Sequence, residues 1–386
     1  MKLLCSQTEL HKSLQFVSRA VATRPTIPIL NNILLNADAG KGQLSIIGFD
    51  LSLGIQANLP ASVEESGTIA LPSRLFGEII SKLSDKTPLS ICDLNSNNQI
   101  EINSFSGTYQ VRSIPADIFP KLPVVEDGTP IRLEAESLIR GLRSTLFASS
   151  NDEAKQILTG VHLRFNGQEL ECVATDGHRL AVLRLTHGIM DLVSNERGVK
   201  TENYAVTLPT RSLKELERLL SVCPSKEDIK LLYNEGQAMF VWSNQTLTSR
   251  TLEGIYPSYQ NLIPTHFVQS ITLDRKALMV ALERVAVFAG KNNNIVKFIC
   301  DSASNKLYIS TNVQDIGSAS ESITVDFNGA PLQIAFNVQY LLDGLKVITD
   351  EIIQILCNAS DTPAILTSQA EVRNFTYLIM PVQIRD

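Results

Sequence analysis

The sequence predicts an α+β protein of three tandem units, each with two helices and several antiparallel strands. Three landmarks predict this, because each recurs three times in the same order. The first is an amphipathic helix that follows a short alternating strand. The second is a strand, a breaker and another amphipathic helix. The third is an alternating strand that ends on a large apolar residue and proline.

The first helices are read from residues 8–22 (TELHKSLQFVSRAVA), 135–149 (AESLIRGLRSTLFAS) and 275–289 (RKALMVALERVAVFA). Leu10, Leu14 and Val17 recur at helical spacing, as do Leu138, Leu142 and Leu146, and then Leu278, Leu282 and Val285. Alternating stretches such as IRLEA and ITLDR precede these helices. The second helices lie in GTIALPSRLFGEIISKL, YAVTLPTRSLKELERLL and LQIAFNVQYLLDGLKVI, with Ser73, Thr210 and Asn337 as the expected N-caps. YQVRSIPADIFP, LTSRTLEGIYP and FTYLIMP close the units at Pro120, Pro257 and Pro381. Between these landmarks run strand pairs with turn chemistry, such as LRFNGQELECVA around Asn166-Gly167. The boundaries fall near residues 123–130 and 262–270, giving expected domains 1–126, 127–266 and 267–386.

Composition narrows the function. The 386 residues are 44% hydrophobic and 19% charged, enough apolar material for sizeable cores. The net formal charge of −6 argues against a protein that coats nucleic acid by bulk charge. No apolar run approaches the roughly 18 residues of a membrane span. The start, MKLLCSQTELHKS, lacks the apolar stretch of a secretory signal, so the expected location is the cytoplasm. Cys5, Cys92, Cys172, Cys223, Cys300 and Cys357 form no CxxC, and His11, His162, His178, His187 and His266 are equally scattered. Free buried thiols are expected, with no metal site and no cofactor.

The charge is unevenly placed. By formal count the six helix candidates hold +7, which leaves −13 for the rest of the chain. Five of the six are net basic. Helical Lys and Arg suit contacts to duplex phosphates that do not depend on sequence. Aromatic residues are 6% and do not interleave with the basic ones, so no single-strand stacking platform is present.

Residues 174–182 (ATDGHRLAV) bring Asp176, His178 and Arg179 together, which raises the possibility of an enzyme. No nucleophile-elbow, zinc-protease, Walker or dinucleotide motif accompanies them. The matching hairpin reads IIGFDLSLGI in the first unit and STNVQDIGSA in the third. Only the second copy has Gly-His-Arg, which marks a specialised site on a repeated scaffold.

RPTIPILNNILL (residues 24–35), ATDGHRLAV and the terminal YLIMP (residues 377–381) closely resemble the bacterial DNA sliding clamps, the beta subunits of DNA polymerase III. The resemblance spans the whole chain. It implies three clamp domains, a head-to-tail dimeric ring and no enzymatic activity. The implied role is a processivity factor that encircles duplex DNA and tethers the polymerase through a hydrophobic peptide pocket. The implied partners are double-stranded DNA of any sequence, a second copy of the chain, the polymerase alpha subunit, the clamp-loader complex and other proteins with a clamp-binding motif. Arg24 matches the family position that reaches the DNA backbone. Arg74, Arg140, Arg143, Arg211, Lys214, Arg284 and Lys291 are further inner-wall candidates. Tyr109 and Val111 in the first domain, with Val287 and Phe288 in the third, are the implied ring-closing contacts. The implied pocket gathers Leu158, Thr175, Gly177, His178, Arg179 and Leu180, then Pro257 and Leu262, then Pro363, Leu378, Ile379, Met380, Pro381 and Val382. Where family members often carry basic residues, this chain has Gln260, Asn261 and Gln383, so a less basic rim is expected. A monomeric repeat adaptor shares the units and the pocket but needs neither basic helix faces nor complementary ends.

Overall fold

The structure, a computed structural model, describes residues 1–94, 98–125, 130–186, 188–192, 204–222, 228–290, 294–302, 304–314, 316–368 and 374–383. His187, Cys223, Lys291 and the expected boundary at 126–127 lie outside the described residues. Six α-helices are present among them: α1 (Gln7–Val17), α2 (Ser73–Lys82), α3 (Ala135–Thr145), α4 (Thr210–Val222), α5 (Arg275–Ala289) and α6 (Val338–Val347). They fall two to a repeat, as the periodicity predicts. Leu10, Leu14, Val17, Leu138, Leu142, Leu278, Leu282 and Val285 are buried on the inward stripes.

The caps differ in part from expectation. Asn337 caps α6, accepting from the Gln339 and Tyr340 N–H groups, and Asp274 caps α5 by accepting from Ala277. Ser73 is instead the first residue of α2, with Pro72 at the cap position and no side-chain cap bond. Thr210 is likewise the first residue of α4, and its hydroxyl donates to Ser149 Oγ at 2.8 Å. The fixed φ of proline sets the helix entry at Pro72, so no capping oxygen is used there.

Each repeat contributes two groups of four strands. In repeat two, one group runs 204–209, 160–166, 169–175, 179–185, and the other 131–134, 228–233, 237–242, 245–250. Repeat three matches this with 332–337, 295–301, 306–313, 317–324, and with 269–274, 352–357, 364–368, 375–379. All the pairings are antiparallel. Strand 245–250 of repeat two also pairs with strand 53–65 of repeat one, setting Leu247 opposite Ile55. Strand 375–379 of repeat three pairs with strand 179–185 of repeat two, setting Leu180 opposite Leu378. One rule therefore applies twice: the last strand of a repeat joins the hairpin strand of the repeat before it. It leaves two strands over, Gly107–Arg112 and Gly317–Thr324, each at the end of its sheet.

These joins explain the compact units. One holds Met1–Ala135, Met190–Lys200 and Glu215–Thr251; the other holds Glu136–Ile189, Thr201–Lys214 and Leu252–Asp386. Repeat two is divided between them because one of its sheets continues into repeat one and the other into repeat three. Among the described residues, no helix is long and apolar enough to cross a membrane.

Candidate functional site

The site grows from a hairpin turn. Strand 169–175 ends at Thr175, whose Oγ1 donates to the Arg179 carbonyl at 2.6 Å and accepts from the Gly177 N–H at 3.1 Å. Asp176 Oδ1 accepts from the N–H groups of His178 and Arg179 at 2.9 and 3.0 Å. Gly177 takes φ +92°, a left-handed conformation that favours glycine, and a Cβ there would meet only Lys155 Nζ at 3.7 Å. The turn is thus fixed by its own polar atoms, with an open space above it.

Strand pairing brings the chain end to this turn. Arg179 lies opposite Ile379 and Leu180 opposite Leu378. The Met380 N–H donates to the His178 carbonyl at 2.9 Å, and the Val382 N–H to Ala335 at 2.8 Å. Ala364 pairs with Ile379, which sets Pro363 beside Met380. Pro381 lacks an N–H, so the ladder stops there and residues 381–383 belong to no strand.

The residues expected at the pocket divide by exposure. Leu180 and Leu378 are buried and form a floor, with Val173, Val182, Tyr259 and Ile365 packed around them; Ile379, the next residue along the strand, is buried on the opposite face of the sheet, across from Arg179. Leu262 is 57% exposed and Met380 38%; His178 and Pro257 are exposed, and Leu158, Thr175, Pro363, Pro381 and Val382 are half-buried. The result is an apolar floor with a mixed rim, suited to an extended peptide with large apolar side chains.

Arg179 has a different environment. Its side chain is 10% exposed, and its guanidinium makes three hydrogen bonds inside the protein. It donates to Asp176 at 3.0 Å, to Asp343 on α6 at 2.7 Å and to the Phe147 carbonyl at 2.7 Å. It also lies over the Tyr340 ring at 4.4 Å. Arg179 positions the turn and α6.

Behind the floor lies a polar cluster that sequence reasoning missed. Tyr259 donates to Glu171, and Arg164 reaches Glu171 at 2.9 Å and the Tyr259 hydroxyl at 3.1 Å. Arg184 also donates to Glu171. Burial pushes the Glu171 carboxyl up, but hydrogen bonds from Tyr259, Arg184 and Arg164 outweigh it and hold it below the usual range. His162 stacks on Tyr256 with ring centroids 4.5 Å apart, and its Nδ1 lies 2.8 Å from Thr207 Oγ1. Burial, then Arg164, lowers the His162 pKa to about 4. The signal for this anchor was the pair of tyrosines in YPSY, three residues apart and beside Pro257.

The helical cations are outward. Arg140 and Arg143 sit three apart on α3, Arg211 and Lys214 three apart on α4, and all four are exposed opposite the buried leucines. Arg24 is exposed just beyond the 3₁₀ turn Ser18–Ala20. Arg74 pairs with Glu78 at 3.0 Å and Arg284 with Glu321 at 3.5 Å. At the two leftover strands, Tyr109 is 38% exposed, whereas Val111 is 2% exposed and belongs to the interior of its own sheet. Val287 is 73% exposed, and Phe288 is half-buried with Cε1 3.5 Å from where a Cβ on Gly317 would sit. Five cysteines are free among the described residues; Cys92 is half-buried and the other four are buried.

Models of the DNA polymerase III beta subunit match in sequence order: the N-terminal domain at residues 1–123, the central domain at 132–258 and the C-terminal domain at 260–383. The chain belongs to this family. It is a sliding clamp of three tandem clamp domains, a processivity factor and not an enzyme. It is 46% identical to the beta sliding clamp of Synechococcus elongatus over 385 residues, covering 100% of each. It is 31% identical to the beta sliding clamp of Bacillus subtilis, over 99% of this chain and 100% of the relative. Among solved structures, the DNA polymerase sliding clamp from Bacillus subtilis superposes with a TM-score of 0.91 at 30% identity, covering 100% of both chains. The DNA polymerase III subunit beta from Pseudomonas aeruginosa gives 0.91 at 26% identity, again covering 100% of both.

Proposed function

We propose that two copies of this clamp close head to tail around duplex DNA and hold the replicative polymerase through the groove at the 175–180 turn. The strand-pairing rule carries the ring. The last strand of repeat two joins the hairpin strand of repeat one, and that of repeat three joins repeat two. The same rule, applied between copies, pairs strand Gly107–Arg112 of one with strand Gly317–Thr324 of the other. Each strand has its free edge available, and an unpaired edge is a template for pairing. The two surfaces differ, so the contact is heterologous, and closure after two copies makes a ring. The domains are taken as 1–126, 127–266 and 267–386. Tyr109, Val287 and Phe288 then supply apolar contact beside the joined edge, and Val111 its backbone.

The basic helix faces, with Arg24, supply diffuse attraction to phosphate, while linkage through the ring supplies retention. Lys291 belongs with this set by sequence. The groove receives an extended apolar segment of the polymerase alpha subunit, the clamp loader or other clamp-binding proteins, in the cytoplasm. Light scattering on the eluting protein tests the assembly: a mass about twice 42.5 kDa supports it, and 42.5 kDa favours a monomeric adaptor.

A further inference from the structure

We infer that repeat one contains a second copy of the peptide groove, closed by its own side chains Leu51 and Phe49. This rests on the reading of the 175–180 turn as the docking groove.

The two turns share their hydrogen bonds. Asp50 Oδ1 accepts from Ser52 N–H at 3.0 Å and Leu53 N–H at 2.7 Å, as Asp176 accepts from His178 and Arg179. The Arg250 N–H donates to the Ser52 carbonyl at 3.0 Å, as Met380 donates to His178 at 2.9 Å. Leu51 therefore stands where repeat two has Gly177, and Phe49 where it has Thr175. Asn32 pairs with Pro72 as Gly160 pairs with Pro209, so Leu30 stands where repeat two has Leu158.

The backbone matches, but the filling is opposite. Leu51 has φ +77°, the left-handed region that a branched side chain rarely adopts, and Gly177 has φ +92°. Leu51 packs against a buried cluster that includes Leu30, Phe49 and Phe119. Leu30 is 2% and Phe49 5% exposed, whereas Leu158 and Thr175 are half-buried. Gly54 stands where repeat two has Leu180, and a Cβ there would lie 2.0 Å from Leu122 Cδ1. Repeat one therefore fills with Leu51 and Phe49 the space that repeat two leaves open above Gly177, while Leu122 takes the place that the Leu180 side chain fills in repeat two. Leu51 and Phe49 restrict docking to one groove per chain.

The test uses a fluorescently labelled synthetic peptide with one Gln and three large apolar residues. Equilibrium titration should give one site per wild-type chain and none after residues 380–386 are removed. Adding Leu51→Gly and Phe49→Thr to the truncated chain should restore one site. The reciprocal variant, Gly177→Leu in the full-length chain, should lose the site while the protein stays folded and dimeric. One site in the wild type, none in the folded opened variant and undiminished binding by Gly177→Leu would overturn this inference alone. If the opened variant does not fold, Gly177→Leu decides. A wild-type ring that binds no peptide overturns the groove reading and this inference with it.

Discussion

Arg179 reaches Asp343 at 2.7 Å, joining the turn of repeat two to a helix of repeat three, with 10% and 21% of the two side chains exposed. The same guanidinium holds Asp176 and the Phe147 carbonyl. Removing one partner of a buried pair leaves the other charged and unmatched. Arg179→Ala should therefore destabilise the protein by about 3 kcal/mol, measured by urea unfolding, and weaken peptide binding as the turn loosens. Asp343→Asn, which keeps a polar acceptor for Arg179, should cost less, on the order of 1 kcal/mol.

In the proposed groove, Met380, Pro381 and Val382 supply one wall above the buried Leu378, Met380 being exposed and the other two half-buried. A short extended peptide with a Gln and two or three large apolar residues should bind with micromolar-scale affinity, on the order of −8 kcal/mol. Deleting residues 380–386 should abolish binding in a fluorescence titration while the dimer persists. Full-strength binding by the truncated ring would place the groove elsewhere.

Much of this was legible in the sequence. Helical periodicity gave all six helices, because Leu10, Leu14 and Val17 and their counterparts are core positions. ATDGHRLAV stood out because only one of three equivalent hairpins carries Gly-His-Arg. Arg179 and Asp343 are 164 residues apart, so nothing local announces their contact. The pairing of strand 53–65 with strand 245–250 was equally hidden, since register between distant strands is set by packing rather than by local pattern. Ser73 and Thr210 have side chains suited to caps, but each is the first helical residue and a proline, Pro72 or Pro209, stands at the position before it.

Ring closure should be sensitive to charge at Phe288 and Val287. Phe288→Arg should yield folded monomers by light scattering, and Val287→Arg, at a side chain 73% exposed, should do so without disturbing the core. A dimer that survives both changes would locate the interface elsewhere.

His162 provides a pH test. Its folded pKa of about 4 is below its ordinary value of 6.5, so the unfolded chain takes up a proton that the folded one resists. Stability should be unaffected by this group above pH 6.5 and should fall as pH drops from 6.5 towards 4, by an amount on the order of 3 kcal/mol. His162→Gln should flatten that part of the thermal stability profile. An unchanged profile would show that His162 does not resist protonation in the folded state.

The proposed ring stays on DNA by linkage rather than by affinity. The most direct measurement loads the ring onto nicked circular DNA with a clamp loader, then compares retention by gel filtration before and after a single linearising cut. The circular DNA should keep the ring, and the cut DNA should release it from its ends. Equal retention on both forms would mean ordinary binding and would rule out topological linkage.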